Sequence, residues 1–285
     1  METIREEFKS IYQMLNVMDA RPHNYVMRDE NSSQSDNYEF TGTETYESAK
    51  ELFRNGYKEI LPRIMQGMQK SVRVINKNNL PVNKALPKNM FVGFVPNIPN
   101  MLNNNPNNMI NVLVKPIKRK VAEIIYIMDG GAFTDKEIWI NAGAVMLEAI
   151  KFIERGGTRI KLNVCFCCGE GNSQYALGMV NVKNYGEKLD LQKLCFPIAH
   201  PSMLRRFGFK WIETAQGLKD ERYSAGYGRS MCDKYSLKEI KKLFNFPKAA
   251  YAMNAQWIAE HGYDVMKLIK SFEVKNVLFN NNVKD

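Results

Sequence analysis

The chain has 285 residues, 45% of them hydrophobic and 25% charged, the balance of a globular protein with enough apolar mass for a sizeable core. Its net charge of +10 at neutral pH favours acidic partners, and no stretch approaches the roughly 20 apolar residues of a membrane span. Five cysteines, an odd number, argue against a disulfide framework.

Three regions are expected in chain order, 1–88, 89–215 and 216–285. The first opens with METIREEFKSIYQMLNVMD, which is acidic and amphipathic. It reads as a helix and lacks the basic and apolar parts of a secretory signal, so a cytoplasmic location with no membrane partner is expected. Next, TGTETYESAKELFRNGY carries Thr45 as an N-cap, Ala49, Leu52 and Phe53 at helical spacing, and Gly56 as the stop. A further helix is expected over 60–75, followed by the Asn- and Pro-rich linker NKNNLPVNKALPKN.

The second region is expected to be an α/β core. VAEIIYIMDG is continuously apolar, as a buried parallel strand would be. Thr134 and Glu137 have capping-box spacing, and Ile138, Ala142, Val145, Ala149 and Ile153 then share one helical face up to Gly156 and Gly157. TRIKLNVCF alternates, so strand, helix and strand make a right-handed parallel unit. GEGNSQ separates it from YALGMVNVKN, giving a hairpin with an antiparallel edge strand. A short helix is expected over 189–194. An apolar run to Ile198, a helix begun at Pro201 and stopped at Gly208, and a strand from Phe209 to Ile212 complete the core.

The third region begins with GLKDERYSAGYGRSMCDKY, a loop rich in Gly, Tyr and Arg. Two helices follow, one opened by the capping box Ser236 and Glu239, the other covering AYAMNAQWIAEHGYDVMKLIKSF with a break at Gly262. The fold class is therefore α/β, a mostly parallel Rossmann-like sheet with an antiparallel edge hairpin and helical additions at both ends.

No catalytic constellation emerges. Cys195 and His200 lie five residues apart across a proline, and His200 is more simply a helix cap or a packed core residue. Cys165 and Cys168 have C-x-x-C spacing, with Cys195, His200 or Cys232 to complete a zinc set, but there is no second C-x-x-C and isolated cysteines are often just buried. The glycine-rich GEGNSQ and GYGRS match no phosphate loop, so no cofactor is expected. Arginines beside aromatics are the chemistry of single-stranded nucleic-acid contacts. They single out His200, Arg205, Arg206, Arg222, Tyr223, Tyr227 and Arg229 as candidate partner- or nucleic-acid-binding residues. Phe207, Phe209 and Trp211 are spaced as core residues.

FVPNIPNMLNNNPNNM, IIYIMDGGAFTDKEIWINAGAVMLEAIKFIERGGTRIKL and LCFPIAHPSMLRRFGFKWIET, in that order, resemble a family of uncharacterised proteins of tailed bacteriophages over roughly residues 40–230. The resemblance implies a viral protein acting in a bacterial cytoplasm. The core also looks like a von Willebrand factor A domain, whose first strand ends in D-x-S-x-S around a divalent cation. The matching positions here are Asp129, Gly131 and Phe133, so both hydroxyls are missing and no metal is expected there. DGGAF reads instead as a tight turn in which glycines supply unusual backbone angles. The expected function is non-enzymatic binding of a host or phage protein, such as blocking a nucleic-acid-targeting host defence protein. Nucleic-acid binding in phage replication and an adaptor role for an AAA-type ATPase are the alternatives, and the terminal helices are the expected surfaces for any homo-oligomer.

Overall fold

The structure, a computed structural model, describes residues 2–22, 32–66, 87–112, 121–131, 134–155, 158–170, 174–218 and 230–273. Residues 1–74 together with 120–285 form one compact unit, and 75–119 form a second. The large unit begins with β1 (Glu2–Phe8), α1 (Ile11–Ala20), α2 (Tyr38–Thr41), α3 (Tyr46–Asn55) and the helical stretch 61–66, α4. The small unit holds β2 (Pro87–Met90), β3 (Val95–Pro96), α5 (Ile98–Leu102) and β4 (Met109–Val112). The large unit resumes with β5 (Val121–Ile127), α6 (Lys136–Arg155), β6 (Arg159–Glu170), β7 (Gln174–Lys183) and α7 (Leu191–Ala199). A π-helical stretch (Met203–Gly208), α8 (Phe209–Thr214), a 3-10 turn (Met231–Asp233), α9 (Leu237–Leu243), β8 (Tyr251–Asn254), α10 (Ala255–Glu260) and α11 (Val265–Glu273) follow.

The large unit is a mixed α/β fold on a five-stranded sheet of order β1-β7-β6-β5-β8. β5 runs parallel to β6 and β8, β6 and β7 form the antiparallel hairpin, and β1 lies parallel to β7. β5 reads as continuously apolar because both of its faces are covered. Ile124, Tyr126 and Met128 join a thick helical layer, while Ile125 and Ile127 pack on a thinner one with Met231, Ile240 and Phe244. In α6 the expected stripe packs in the thick layer, Ala142, Val145, Ala149 and Ile153 buried and Ile138 partly so, and Trp139, Met146 and Ile150 beside it are fully covered as well.

β7 is not an edge strand, because β1 covers it with Glu2 opposite Gln174 and Phe8 opposite Val180. The opening residues were expected to be helical, but helix starts only at Ile11, capped by the Ser10 side chain. Pairing with a strand far along the chain decides the preceding seven residues, and local pattern cannot register such a partner. The reason for the docking is visible at Trp211. Its ring sits over Gly178 of β7, where an added Cβ would lie 2.6 Å from the indole. Its Nε1 donates to Glu6 Oε2 at 3.1 Å, and Arg21 Nη1 holds the same carboxylate at 2.8 Å.

After the break at His200 and Pro201 the chain is helical without interruption to Thr214, which overturns the expected strand over 209–212 and the expected stop at Gly208. Gly208 keeps right-handed helical angles (φ −62°, ψ −44°) and carries the chain into α8. It is small because Phe166 lies against it, 2.7 Å from where a Cβ would stand. A helix buried on all sides shows no polar face, so its apolar run imitates a strand. Similarly, Tyr251–Asn254 forms β8 rather than the start of a helix. The capping boxes fare unevenly. Thr45 pairs with Ser48 and Ser236 with Glu239, whereas at α6 it is Asp135 that accepts from Glu137 N at 3.0 Å.

In the small unit, β4 lies between β2 and β3, antiparallel to both. Asparagine amides tie its turns. Asn97 Nδ2 donates to Asn89 Oδ1, Asn100 Nδ2 to Asn107 O, and Asn111 Nδ2 to Val92 O, at 3.0, 3.0 and 3.2 Å.

Candidate functional site

Arg205, Arg206 and His200 sit in the core of the large unit, each at most 5% exposed. Arg206 donates from Nη1 to Ser33 O at 2.7 Å and from Nη2 to Thr43 O and Glu44 O at 2.6 and 2.9 Å. It also reaches the hydroxyls of Thr41 and Thr43. Nearby, Glu213 accepts from both the amide and the hydroxyl of Ser33. The segment 33–44 has little regular structure of its own, and this guanidinium supplies donors for its carbonyls. Arg205 bonds Phe40 O and, at 3.1 and 3.3 Å, Gly131 O and Thr134 O, with its guanidinium over the rings of Phe40 and Trp139. Burial lowers its pKa to about 10, which leaves it a cation at neutral pH. His200 Nδ1 accepts from Ser202 N at 3.2 Å and its ring stacks on Phe196, so it is both a cap and a packed residue. The three side chains act inside the fold. Arg222, Tyr223, Tyr227 and Arg229 lie outside the described residues.

The carboxyl ends of β5 and β8 meet at a cleft of about 450 Å³ lined by Asp129, Thr134, Ser230, Cys232, Asn254 and Trp257 among others. Open parallel sheets bind ligands at such crevices, so its donors and acceptors matter. Asp129 Oδ2 accepts from Ser230 Oγ at 2.5 Å and from Cys232 N at 2.9 Å. Asn254 Oδ1 caps α10 through Trp257 N at 2.8 Å. The groups at the head of the cleft thus tie the 230–232 turn and α10 to the sheet. Gly130 shows no positive φ, so the expected role of unusual backbone angles does not apply to it. Its smallness serves Trp139, whose Cζ2 would lie 2.5 Å from a Cβ there and whose Nε1 donates to Asp129 O at 3.2 Å.

The thiols offer little nucleophilic or metal-binding chemistry. Cys165 and Cys168 project to opposite sides of β6, Cys165 into the thin layer and Cys168 against the thick one, so the C-x-x-C pair does not converge. A hydrogen bond to Cys165, then burial, keeps the Cys167 thiol well above its usual range. Burial pushes Cys195 up to about 12 and Cys232 higher still. Among the described residues no three His, Cys, Asp or Glu side chains are placed to hold a metal ion.

The surface that distinguishes the molecule is on the small unit. Of the eleven large apolar side chains exposed among the described residues, seven fall between Phe91 and Leu102, with Phe91 74% and Leu102 78% exposed. None of residues 88–111 is buried. Monomeric surfaces rarely gather apolar side chains this densely unless something binds there. Sequence reasoning missed this surface because the apolar residues of FVGFVPNIPNML follow neither a helical nor a strand period. One signal could have found it. Residues 75–119 contain five lysines, one arginine and no Asp or Glu.

A family model described as Domain of unknown function (DUF7192) matches residues 2–276. No curated protein and no solved structure matches the chain.

Proposed function

We propose that the chain, which belongs to the family Domain of unknown function (DUF7192), is a non-enzymatic binding protein that works by attachment through its small unit. The single observation that carries the reading is the apolar surface between Phe91 and Leu102, uncovered on a unit with no acidic side chain. The large unit serves as scaffold, with its internal cations and carboxylate engaged in holding loops to the sheet. The succession β5, α6, parallel β6 and antiparallel β7, with Asp129 just beyond β5, supports a von Willebrand factor A-like scaffold whose cation turn has been given over to protein hydrogen bonds. The phage resemblance supports a bacterial host cytoplasm as the place of action.

The test compares tagged wild type with Phe91→Ser/Phe94→Ser/Leu102→Ser, each incubated with the soluble and membrane fractions of a nuclease-treated bacterial lysate. The triple variant is expected to keep its thermal midpoint, since these side chains are largely exposed, and to lose what the wild type retains. A variant that retains every bound component would overturn the reading.

A further inference from the structure

We propose that the surface between Phe91 and Leu102 docks on an anionic lipid bilayer, its apolar side chains entering the headgroup region, with the net positive charge of the 75–119 sequence selecting an anionic surface over a neutral one. The proposal rests on the reading of this surface as the contact face and names what it contacts. Docking of this kind requires no membrane-crossing helix, and none of the described helices is long and apolar enough to cross.

Charge is the first selector. Residues 75–119 carry a net +6 with no acid, against +10 for the whole chain, so every ionised side chain there suits an anionic surface. The remaining residues of the chain are also net basic, which disfavours a second copy as the occupant. The apolar side chains are the second selector. Val92, Val95, Ile98, Met101 and Leu102 are aliphatic or thioether groups suited to hydrocarbon, whereas base stacking needs flat rings, supplied here by Phe91 and Phe94.

A third selector is the kind of base. Lysine outnumbers arginine five to one in the unit. Specific protein and nucleic-acid interfaces favour the planar fork of arginine, while a fluid layer of headgroups is met equally well by point charges on flexible stems. Finally, three of the side-chain amides that would resist leaving water already have partners within the unit. Asn97, Asn100 and Asn111 donate to Asn89, Asn107 and Val92. Entry into a less aqueous layer therefore strands fewer of its polar groups.

The experiment mixes the full chain with vesicles of phosphatidylcholine alone, or with about 30% phosphatidylglycerol, and reads co-sedimentation at low and high salt. Partition about tenfold greater on the charged vesicles, weakening with salt, is expected. Phe91→Ser/Phe94→Ser/Leu102→Ser is expected to lower it about tenfold with an unchanged circular dichroism spectrum. Equal or no binding to the two vesicle types by the wild type overturns the proposal without recourse to any variant. Preference for an oligothymidine strand over charged vesicles overturns it in favour of nucleic acid. A lysate protein held through this face in the absence of vesicle binding retires the lipid and leaves the contact face standing. If the triple variant keeps both its vesicle binding and its lysate partners, the contact-face reading falls as well.

Discussion

His200 shows how a single residue can be chemically reactive in principle and inert in place. Its Nδ1 accepts the Ser202 amide, its ring stacks on Phe196 at 5.2 Å, and Tyr57 approaches edge-on at 4.7 Å. Burial drives its pKa down from 6.5 to about 3, so the imidazole is neutral throughout the physiological range. The unfolded chain takes up this proton near pH 6.5 and the folded chain only near 3. The stability associated with the neutral ring is therefore complete above pH 6.5 and is lost on acidification toward 3, by up to about 1.4 kcal/mol per pH unit. In His200→Gln this contribution to the slope of unfolding free energy between pH 6 and about 4 is expected to vanish, as measured by urea denaturation. A variant with the wild-type slope would contradict the assignment. Arg205 and Arg206 carry the same lesson for charge. A pair of adjacent arginines beside aromatics is the composition of a nucleic-acid contact, yet carbonyls of the segments 33–44 and 131–134 take up these guanidinia. Residue type indicated what chemistry the site could do, while only the fold showed which groups were already satisfied.

Among the elements, the ends of α6, β6 and β7 are joined by one buried ion pair. Lys183 Nζ lies 2.6 Å from Glu154 Oε1, with the two side chains 2% and 8% exposed. Lys183 also donates to Ile160 O at 3.0 Å, while Glu154 accepts Ile160 N at 3.1 Å. Lys183→Met leaves a carboxylate with no cation beside it and is expected to cost about 3–5 kcal/mol, with Lys183→Met/Glu154→Leu recovering much of the loss in chemical denaturation. A single variant within about 1 kcal/mol of wild type would show the pair to be solvated. The elements legible in the sequence are those whose pattern is local. The run β5, α6, β6, β7 could be read because alternation, an apolar helical stripe and a polar turn each announce themselves within a few residues. β1 and β8 could not, since each is made a strand by a neighbour distant in the chain. The helix at 209–214 imitates a strand because it has no solvent face to betray the period. The candidate site was less legible still. Arg205, Arg206 and His200 proved internal, and the exposed surface of the small unit carries no periodic pattern.

At the scale of the molecule, two units of opposite character share one chain. The large unit has two packed layers around a five-stranded sheet, and its buried Arg205, Arg206, His200 and Lys183 are engaged with backbone or with a carboxylate. The small unit, 75–119, holds a net +6 and leaves the seven large apolar side chains from Phe91 to Leu102 exposed. A well-packed scaffold joined to an uncovered apolar surface is the economy of a protein that acts by attachment, since association buries what folding did not. The most direct test places a photoreactive phenylalanine analogue at Phe94, or at Leu102, in the chain expressed in a bacterium, with Tyr12 of the large unit as an equally accessible control, 55% exposed against 65% for Phe94. After illumination, adducts are expected from positions 94 and 102 and not from 12. Adducts from position 12 alone, or none that favour the small unit, would contradict the account.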